Sequence, residues 1–382
     1  MKKPYDLVVV GGGPVGSYTA YLLADKGFSV CLFDEKSEIG KNVICAGVLG
    51  KEAFKRYDLP SESIVSRIDS VSFISPYGQR LEYKPKDVLA YVVDREVFDK
   101  GLITLAQKCG VDVYLKQRVT SIRESSKQYI VVSRNKRFRS KAVVLATGVD
   151  YALHKRVGIG RTQSFLYGSQ IEMPLSFAPS RIEIHIGKTF APGSFGWVIP
   201  AGKNASKVGV IVRRRGKKWL QRMLEKRLRF SVSKLNSDEL KVKPIAYGPS
   251  KRSVKGNILA VGEAAGQVKT TTGGGIFYGL LCSEIAVDKL SKTLKNGASL
   301  RDYELAWRSA LISELDIGKH LRKFASQLSD GDIERLFNFV KKNRFWVQLL
   351  VPRINFDFHS NLIFFCMKSF GSLLGFPEEQ SP

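Results

Sequence analysis

The tightest constraint on this chain lies at its start. Residues 5–10 form an apolar, β-rich run that leads directly into Gly11-Gly12-Gly13-Pro14-Val15-Gly16, and a second such run over 28–33 ends at Asp34. Strand, glycines in GxGxxG spacing, helix over 17–26, strand and acid, in that order, describe a Rossmann unit. Gly11 allows the tight turn, Gly13 lets the backbone approach a pyrophosphate, and Gly16 lets helix and strand pack closely. The helix N-terminus offers unpaired N–H groups to phosphates. Asp34 is placed to accept from a ribose hydroxyl, with Glu35 as the alternative if the strand ends one residue later. The chain is expected to bind a dinucleotide.

Composition narrows the class. At 382 residues, 44% hydrophobic and 25% charged, the chain is an ordinary globular one with ample core. It shows no secretory signal and no run of about 18 uncharged apolar residues. Its five cysteines (31, 45, 109, 282 and 366) are odd in number and lack CxxC spacing. They read as reduced thiols of a cytoplasmic protein, and the four scattered histidines give no metal site. The anomaly is a net charge of +26, from 61 Lys and Arg against 35 Asp and Glu. Such a chain is drawn to polyanions. Arg213, Arg214, Arg215, Lys217, Lys218, Arg222, Lys226, Arg227 and Arg229 cluster together, with Trp219, Leu220, Met223, Leu224 and Leu228 interleaved at helical spacing. That is either a basic amphipathic helix docking on the inner face of an anionic membrane, or a solvated face over a buried stripe. Nucleic acid is disfavoured, because no binding motif accompanies the charge.

Farther along, the pattern predicts a hairpin over 71–83, a helix over 94–110 and a strand over 111–115. Short strands at 119–124, 129–133 and 137–140 and a buried strand at 142–146 follow. Residues 160–250 are rich in strands and turns. A strand at 258–261, a helix over 275–294 and a basic helical stretch from 302 complete the chain. The fold class is α/β, a Rossmann-like domain interrupted by an antiparallel-sheet substrate domain, with a helical C-terminal region. The expected division is 1–65 with 86–160 and 250–295 for the nucleotide domain, 66–85 with 161–249 for the substrate sheet, and 296–382 for the helices.

Gly262-Glu263-Ala264-Ala265-Gly266 and Thr272-Gly273-Gly274-Gly275-Ile276 follow the 258–261 strand. Together with the N-terminal glycines and Asp34, they resemble the FAD-dependent monooxygenase and reductase superfamily of the p-hydroxybenzoate-hydroxylase fold. Asp94-Arg95-Glu96-Val97-Phe98-Asp99 resembles its DR-x-x-F-D segment, whose arginine approaches the flavin, and Ala146-Thr147-Gly148 its ATG turn. Glu263 stands where the family usually has Asp, one methylene longer. The resemblance implies FAD held by Gly11, Gly13, Pro14, Val15, Gly16, Asp34, Glu35, Lys36, Cys45, Ala46, Arg95, Val119, Thr147, Gly148, Glu263, Gly273, Gly274, Gly275 and Ile276.

Pro192-Gly193-Ser194-Phe195-Gly196-Trp197-Val198-Ile199-Pro200 resembles the PxxYxWxFP segment of geranylgeranyl reductases, with Phe195 for Tyr and Ile199 for Phe. The resemblance implies reduction of isolated C=C bonds in a polyprenyl lipid, with Phe195, Trp197, Ile199 and Pro200 lining an apolar cavity. Cys45 matches a family cysteine facing the flavin. Cys45, Tyr278 and water are the candidate proton donors for an alkene that receives hydride from reduced FAD. The electron donor is NAD(P)H or a small acidic protein such as ferredoxin, which would suit the positive charge. The alternatives are a monooxygenase or halogenase on the same fold, and a membrane-associated electron-transfer flavoprotein. The apolar stretch 361–376 is a lid, a membrane contact or core.

Overall fold

The computed structural model describes residues 4–343, apart from 127, 135, 176, 177, 203 and 237, together with 355–360. The helices among them are α1 (Pro14–Asp25), α2 (Lys51–Arg56), α3 (Arg95–Lys108), α4 (Ala152–Val157), α5 (Gly216–Leu228), α6 (Ile276–Asn296), α7 (Arg301–Gln327) and α8 (Asp330–Lys342). The stretch 361–376, with Cys366, lies outside the described residues.

The N-terminal unit folds in the order its sequence dictates. Tyr5–Val10 and Val30–Phe33 lie parallel, with Leu7 opposite Val30 and Val10 opposite Phe33. Helix α1 begins at Pro14, three residues before the expected start. Proline at the first helical position has no N–H to lose and a preset φ, so the glycine run passes into the helix without a break.

Eight strands form the nucleotide sheet. Val254–Lys255, Ile258–Ala260, Lys136–Leu145, Tyr5–Val10, Val30–Phe33 and Asp112–Tyr114 lie in that spatial order, and Gln128–Ser133 and Val119–Ser125 extend it through Lys136–Leu145. The two strands expected at 137–140 and 142–146 are one ten-residue strand. Its first half runs antiparallel to Gln128–Ser133 and its second half parallel to Tyr5–Val10, with Ser140 opposite both Tyr129 and Tyr5. Exposed Arg137, Arg139 and Lys141 alternate with inward Phe138 and Ser140. The charges that break the apolar run in the sequence are therefore one face of a continuous strand.

A second sheet of seven strands runs Lys241–Ala246, Phe165–Met173, Ser206–Val212, Phe195–Pro200, Arg181–Ile186, Ser70–Ile74 and Arg80–Tyr83. It is not purely antiparallel, since Arg181–Ile186 lies parallel to Ser70–Ile74. That hairpin leaves the chain early and joins as an edge. Helix α5 covers the outer face, burying Leu220, Met223 and Leu224 against Val198, Val208 and Val210. The inner face packs Trp197, Ile199 and Ile211 onto Ile68, Ala90 and Val92 of a small sheet made by Val48–Gly50, Ala90–Val93 and Ile64–Ile68. Helix α6 crosses α1, and Thr19 Oγ1 donates to Ser283 Oγ at 2.8 Å. Helix α7 closes over the 253–260 region, where Trp307 Nε1 donates to Ser253 Oγ at 2.9 Å. No helix among the described residues is long and apolar enough to cross a membrane.

Candidate functional site

The glycine run forms an open cradle at the carboxyl ends of the parallel strands. A Cβ on Gly16 would lie 1.9 Å from Gly11 O, and one on Gly11 (φ +107°) 2.3 Å from Ala146 O, so both are fixed by close approach. A Cβ on Gly13 would meet nothing within 4 Å, because this glycine faces open space. Helix α1 has neither a capping side chain nor an acid in its first turn, and the same holds for α6, whose start follows Gly273, Gly274 and Gly275 and includes Ile276. Two bare helix N-termini suit an anion. Val15 packs its methyls against Gly262 and Gly279, linking the first helix to the second glycine region.

Asp34 accepts from Gly12 N–H at 2.7 Å and Lys36 N–H at 2.8 Å, one on each oxygen. A lone pair on each remains for a ribose hydroxyl. Glu35 instead pairs with Arg118, which also binds Asp150 at 2.7 Å. This places Glu35 at the rim. Gln117 N–H reaches Asp34 O at 2.9 Å, which brings the following Arg118 and buried Val119 beside the same strand end. Thr147 Oγ1 donates to Asp150 O at 2.7 Å, and Gly148 (φ +60°) turns the chain below Glu263.

Cys45 is half-buried with Arg95 beside it. Asp94 caps α3 through the Glu96 and Val97 N–H groups, so Arg95 occupies the first helical position and Asp99 lies one turn on. Arg95 Nε and a terminal nitrogen bind the two Asp99 oxygens at 2.9 and 2.8 Å in a buried fork. Burial pushes the Cys45 thiol up, but Arg95, the Gly47 N–H at 3.4 Å and Lys243 outweigh it, and the net shift is downward. A thiol lowered in this way is a stronger acid, and the neighbouring Arg95 charge stabilises the thiolate left once its proton is given up. Ala46 joins the inner apolar cluster beside Trp197.

The longer side chain of Glu263 spans the gap between the two large sheets. Its oxygens accept from Lys243 Nζ at 2.9 Å and Ala246 N–H at 3.2 Å, both on the Lys241–Ala246 strand. Phe195, Trp197 and Ile199 share the inner face of their strand, with Trp197 lying over Gly209, where a Cβ would come within 2.2 Å of the indole. The two-residue period of the strand puts Pro200 in phase with Gly196 and Val198, which face α5, rather than with the three aromatic-wall positions. Tyr278 is buried in the α1–α6 core rather than on that wall. Its ring lies 5.9 Å from Phe358, and burial and Glu314 push its hydroxyl far up, so it stays protonated.

Several residues at the site carry no motif. Gln267 Oε1 accepts from Gly262 N–H at 2.6 Å, and its amide reaches Tyr303 on α7 at 2.9 Å. Lys243 binds Glu263, Lys269 binds Asp357 and Arg322 binds the Thr270 and Thr271 carbonyls, each pairing distant parts of the chain. The Asp99 partner of Arg95 does have a local signal, its i, i+4 spacing on a helix, although no pairing is read from it in the sequence. Among the described residues no cluster of His, Cys, Asp or Glu is arranged to hold a metal, and none of Cys31, Cys45, Cys109 and Cys282 is in a disulfide.

A family model described as lycopene cyclase protein matches residues 6–343, so the chain belongs to that broad family. A digeranylgeranylglycerophospholipid reductase of Methanococcoides burtonii is 31% identical, over 94% of this chain and 93% of that protein. The chain belongs to the digeranylgeranylglycerophospholipid reductase family. This reductase shares its fold with a geranylgeranyl bacteriochlorophyll reductase-like protein of Thermoplasma acidophilum, at a TM-score of 0.82 and 20% identity, over 97% of this chain and 99% of the other. A p-nitrophenol 4-monooxygenase of Pseudomonas putida has the same fold at 0.73 and 15%, over 95% and 99%. The reductase is an FAD-dependent oxidoreductase. Its residues fit the cofactor: Gly13 is open where a pyrophosphate would lie, both helix N-termini are uncapped, and Asp34 keeps free acceptor sites at the first strand pair.

Proposed function

We propose that this reductase saturates isolated C=C bonds of a geranylgeranyl-type polyprenyl lipid. When bound, reduced FAD supplies the hydride; the protein's part is to bind, orient and exclude water. The carrying observation is the inner face of Phe195, Trp197 and Ile199, which with Ile211, Ala46 and Val48 gathers apolar surface between the sheets, next to the Cys45–Arg95 pair. An isolated alkene has no oxygen to polarise, so close apolar packing is what positions it. The names of the relatives support the same substrate class.

Cys45 is the proton donor we favour over Tyr278, because it borders the apolar wall whereas Tyr278 is sealed in the helical core. In this reading the Arg95 guanidinium sets the acidity of the thiol, and Asp99 holds the guanidinium in place. Gly11, Gly13, Gly16 and the α1 N-terminus would hold the pyrophosphate, Asp34 the ribose, and the Gly273–Ile276 turn the flavin end. We assign electron delivery to NAD(P)H or a small acidic protein such as ferredoxin, for which the +26 charge is suited. We also place the protein in the cytoplasm, at the inner membrane surface, held by charge alone, because α5 spends its apolar stripe on its own sheet.

The deciding experiment is anaerobic. Dithionite-reduced holoprotein is mixed with geranylgeranyl phospholipid, and the chain is weighed by mass spectrometry while flavin absorbance is followed. Gains of about 2 mass units per bond with flavin reoxidation are expected. No gain, with reoxidation only when oxygen enters, would replace this reading with a monooxygenase.

A further inference from the structure

Residues 355–360 cross the site as a short strap with more anchors than packing alone requires. Glu314 on α7 accepts from the His359 N–H at 2.9 Å and the Ser360 N–H at 3.1 Å, and also from the Ser360 hydroxyl. His359 Nδ1 meets Thr271 Oγ1 at 2.7 Å. Asn355 Oδ1 accepts from the Asp357 and Phe358 N–H groups at 2.8 and 2.9 Å, closing the strap on itself. At its centre the buried Lys269 Nζ donates to Asp357 Oδ1 at 2.6 Å and to Phe356 O at 3.0 Å.

Two juxtapositions give these anchors a purpose. Phe356 packs into the same apolar cluster as Ala46, Val48, Phe195, Trp197 and Ile199, and a Cβ on Gly50 would come within 3.1 Å of its ring. Lys269 meanwhile closes the glycine turn with its own backbone: its N–H donates to Gly274 O at 3.0 Å, and its O accepts from Gly273 N–H at 2.8 Å. One residue thus holds the turn at the start of α6 by its main chain and the strap by its side chain. The second Asp357 oxygen is buried with no hydrogen-bond partner. A buried ion pair left partly unsatisfied is a poor source of stability, and its useful property is fixed geometry.

We propose that residues 355–360 form a wall of the lipid-chain site, with Phe356 touching the chain and the Lys269–Asp357 pair positioning that wall against the Gly273–Gly275 turn. This rests on the polyprenyl reading above and assigns that site a specificity-determining residue and a positioning pair.

The test uses the full-length holoprotein, with FAD titration, flavin absorbance and native mass spectrometry of geranylgeranyl phospholipid on the apoprotein beside turnover. Phe356→Ala is expected to weaken lipid binding and raise KM by about tenfold, as for a lost aromatic contact, with FAD affinity unchanged. Phe356→Leu should recover most of it. Asp357→Asn should instead perturb the flavin absorbance envelope and lower kcat more than it raises KM. If Phe356→Ala does not fold, Phe356→Leu and Phe356→Trp take its place, and a changed preference between farnesyl and geranylgeranyl chains is the expected readout. Unchanged lipid affinity and chain preference in all Phe356 variants, with Asp357→Asn lowering only the melting temperature, overturns the inference. If the wild type neither binds nor reduces the lipid, the polyprenyl reading itself falls; if the wild type does both, only the strap is at issue.

Discussion

Asp34 shows what a single side chain does at the cradle. Its two oxygens hold the Gly12 and Lys36 N–H groups, so the carboxylate shapes the glycine turn before any nucleotide arrives. Asp34→Ala is expected to raise the FAD dissociation constant by more than about tenfold, or about 1.4 kcal/mol, measured by fluorescence titration. Arg95 is the second case. Its place in the DR-x-x-F-D segment was legible, but its double engagement with Asp99 and Cys45 was not, because Cys45 lies fifty residues upstream. Replacing it by Met leaves Asp99 buried and unpaired, at a cost of about 3–5 kcal/mol in urea unfolding. The same change removes what holds the thiol down, so the pH midpoint of Cys45 alkylation in the apoprotein should move upward. The sign follows for stability: with the folded value below the unfolded one of about 8.5, the thiolate's contribution is present above that pH and fades as pH falls through the folded value. Arg95→Met should remove this alkaline gain.

Contiguous patterns were readable because they are local. The glycine run, its strands and α3 each fold from neighbours in sequence. At the scale of elements the same logic stops at the question of what an apolar stripe meets. The periodicity of residues 216–228 specified a basic amphipathic helix, yet equally allowed a membrane or a sheet as its partner. The structure supplies the sheet: Leu220, Met223 and Leu224 are fully buried, and Gly196 is kept free of a side chain by the Met223 sulfur, 2.3 Å from where a Cβ would lie. The exposed basic residues of the helix, Lys217, Lys218, Arg222 and Lys226, lie on its outer side together with Glu225. Binding to phosphatidylserine vesicles is therefore expected to depend on salt rather than on insertion. Changing these four to Glu should abolish co-sedimentation at low salt, since each basic residue near such a surface contributes about 1 kcal/mol. Vesicle binding that survives both the substitutions and high salt would exclude α5 as the contact.

Across the whole molecule the helical C-terminal region completes the site, a role that sequence order does not suggest. Arg322 on α7 is 7% exposed and, in place of a carboxylate, binds four acceptors on two distant loops. Nε donates to Thr270 O at 3.0 Å, one terminal nitrogen reaches Ser194 Oγ at 2.8 Å and Gly193 O at 3.5 Å, and the other binds Thr271 O. Burial, with Arg213 adding to it, brings the guanidinium down to about 10. A Cβ on Gly318 would meet Thr270 Oγ1 at 2.3 Å, so α7 lies hard against the same turn. The arginine therefore spans the turn that precedes Gly273, Gly274 and Gly275 and the loop that enters the aromatic strand. No local pattern signals this, because the two loops are brought together only by the packing of α7. Arg322→Met should cost about 2–4 kcal/mol in urea unfolding of the apoprotein, through carbonyls left without donors. If the tie also orders the cofactor cradle, the variant binds FAD more weakly. The stability that FAD adds, about 2.7 kcal/mol at a hundredfold excess over the wild-type dissociation constant, should then shrink. An undiminished gain at the same FAD concentration would reduce Arg322 to a fastening of α7, with the cradle ordered independently of it.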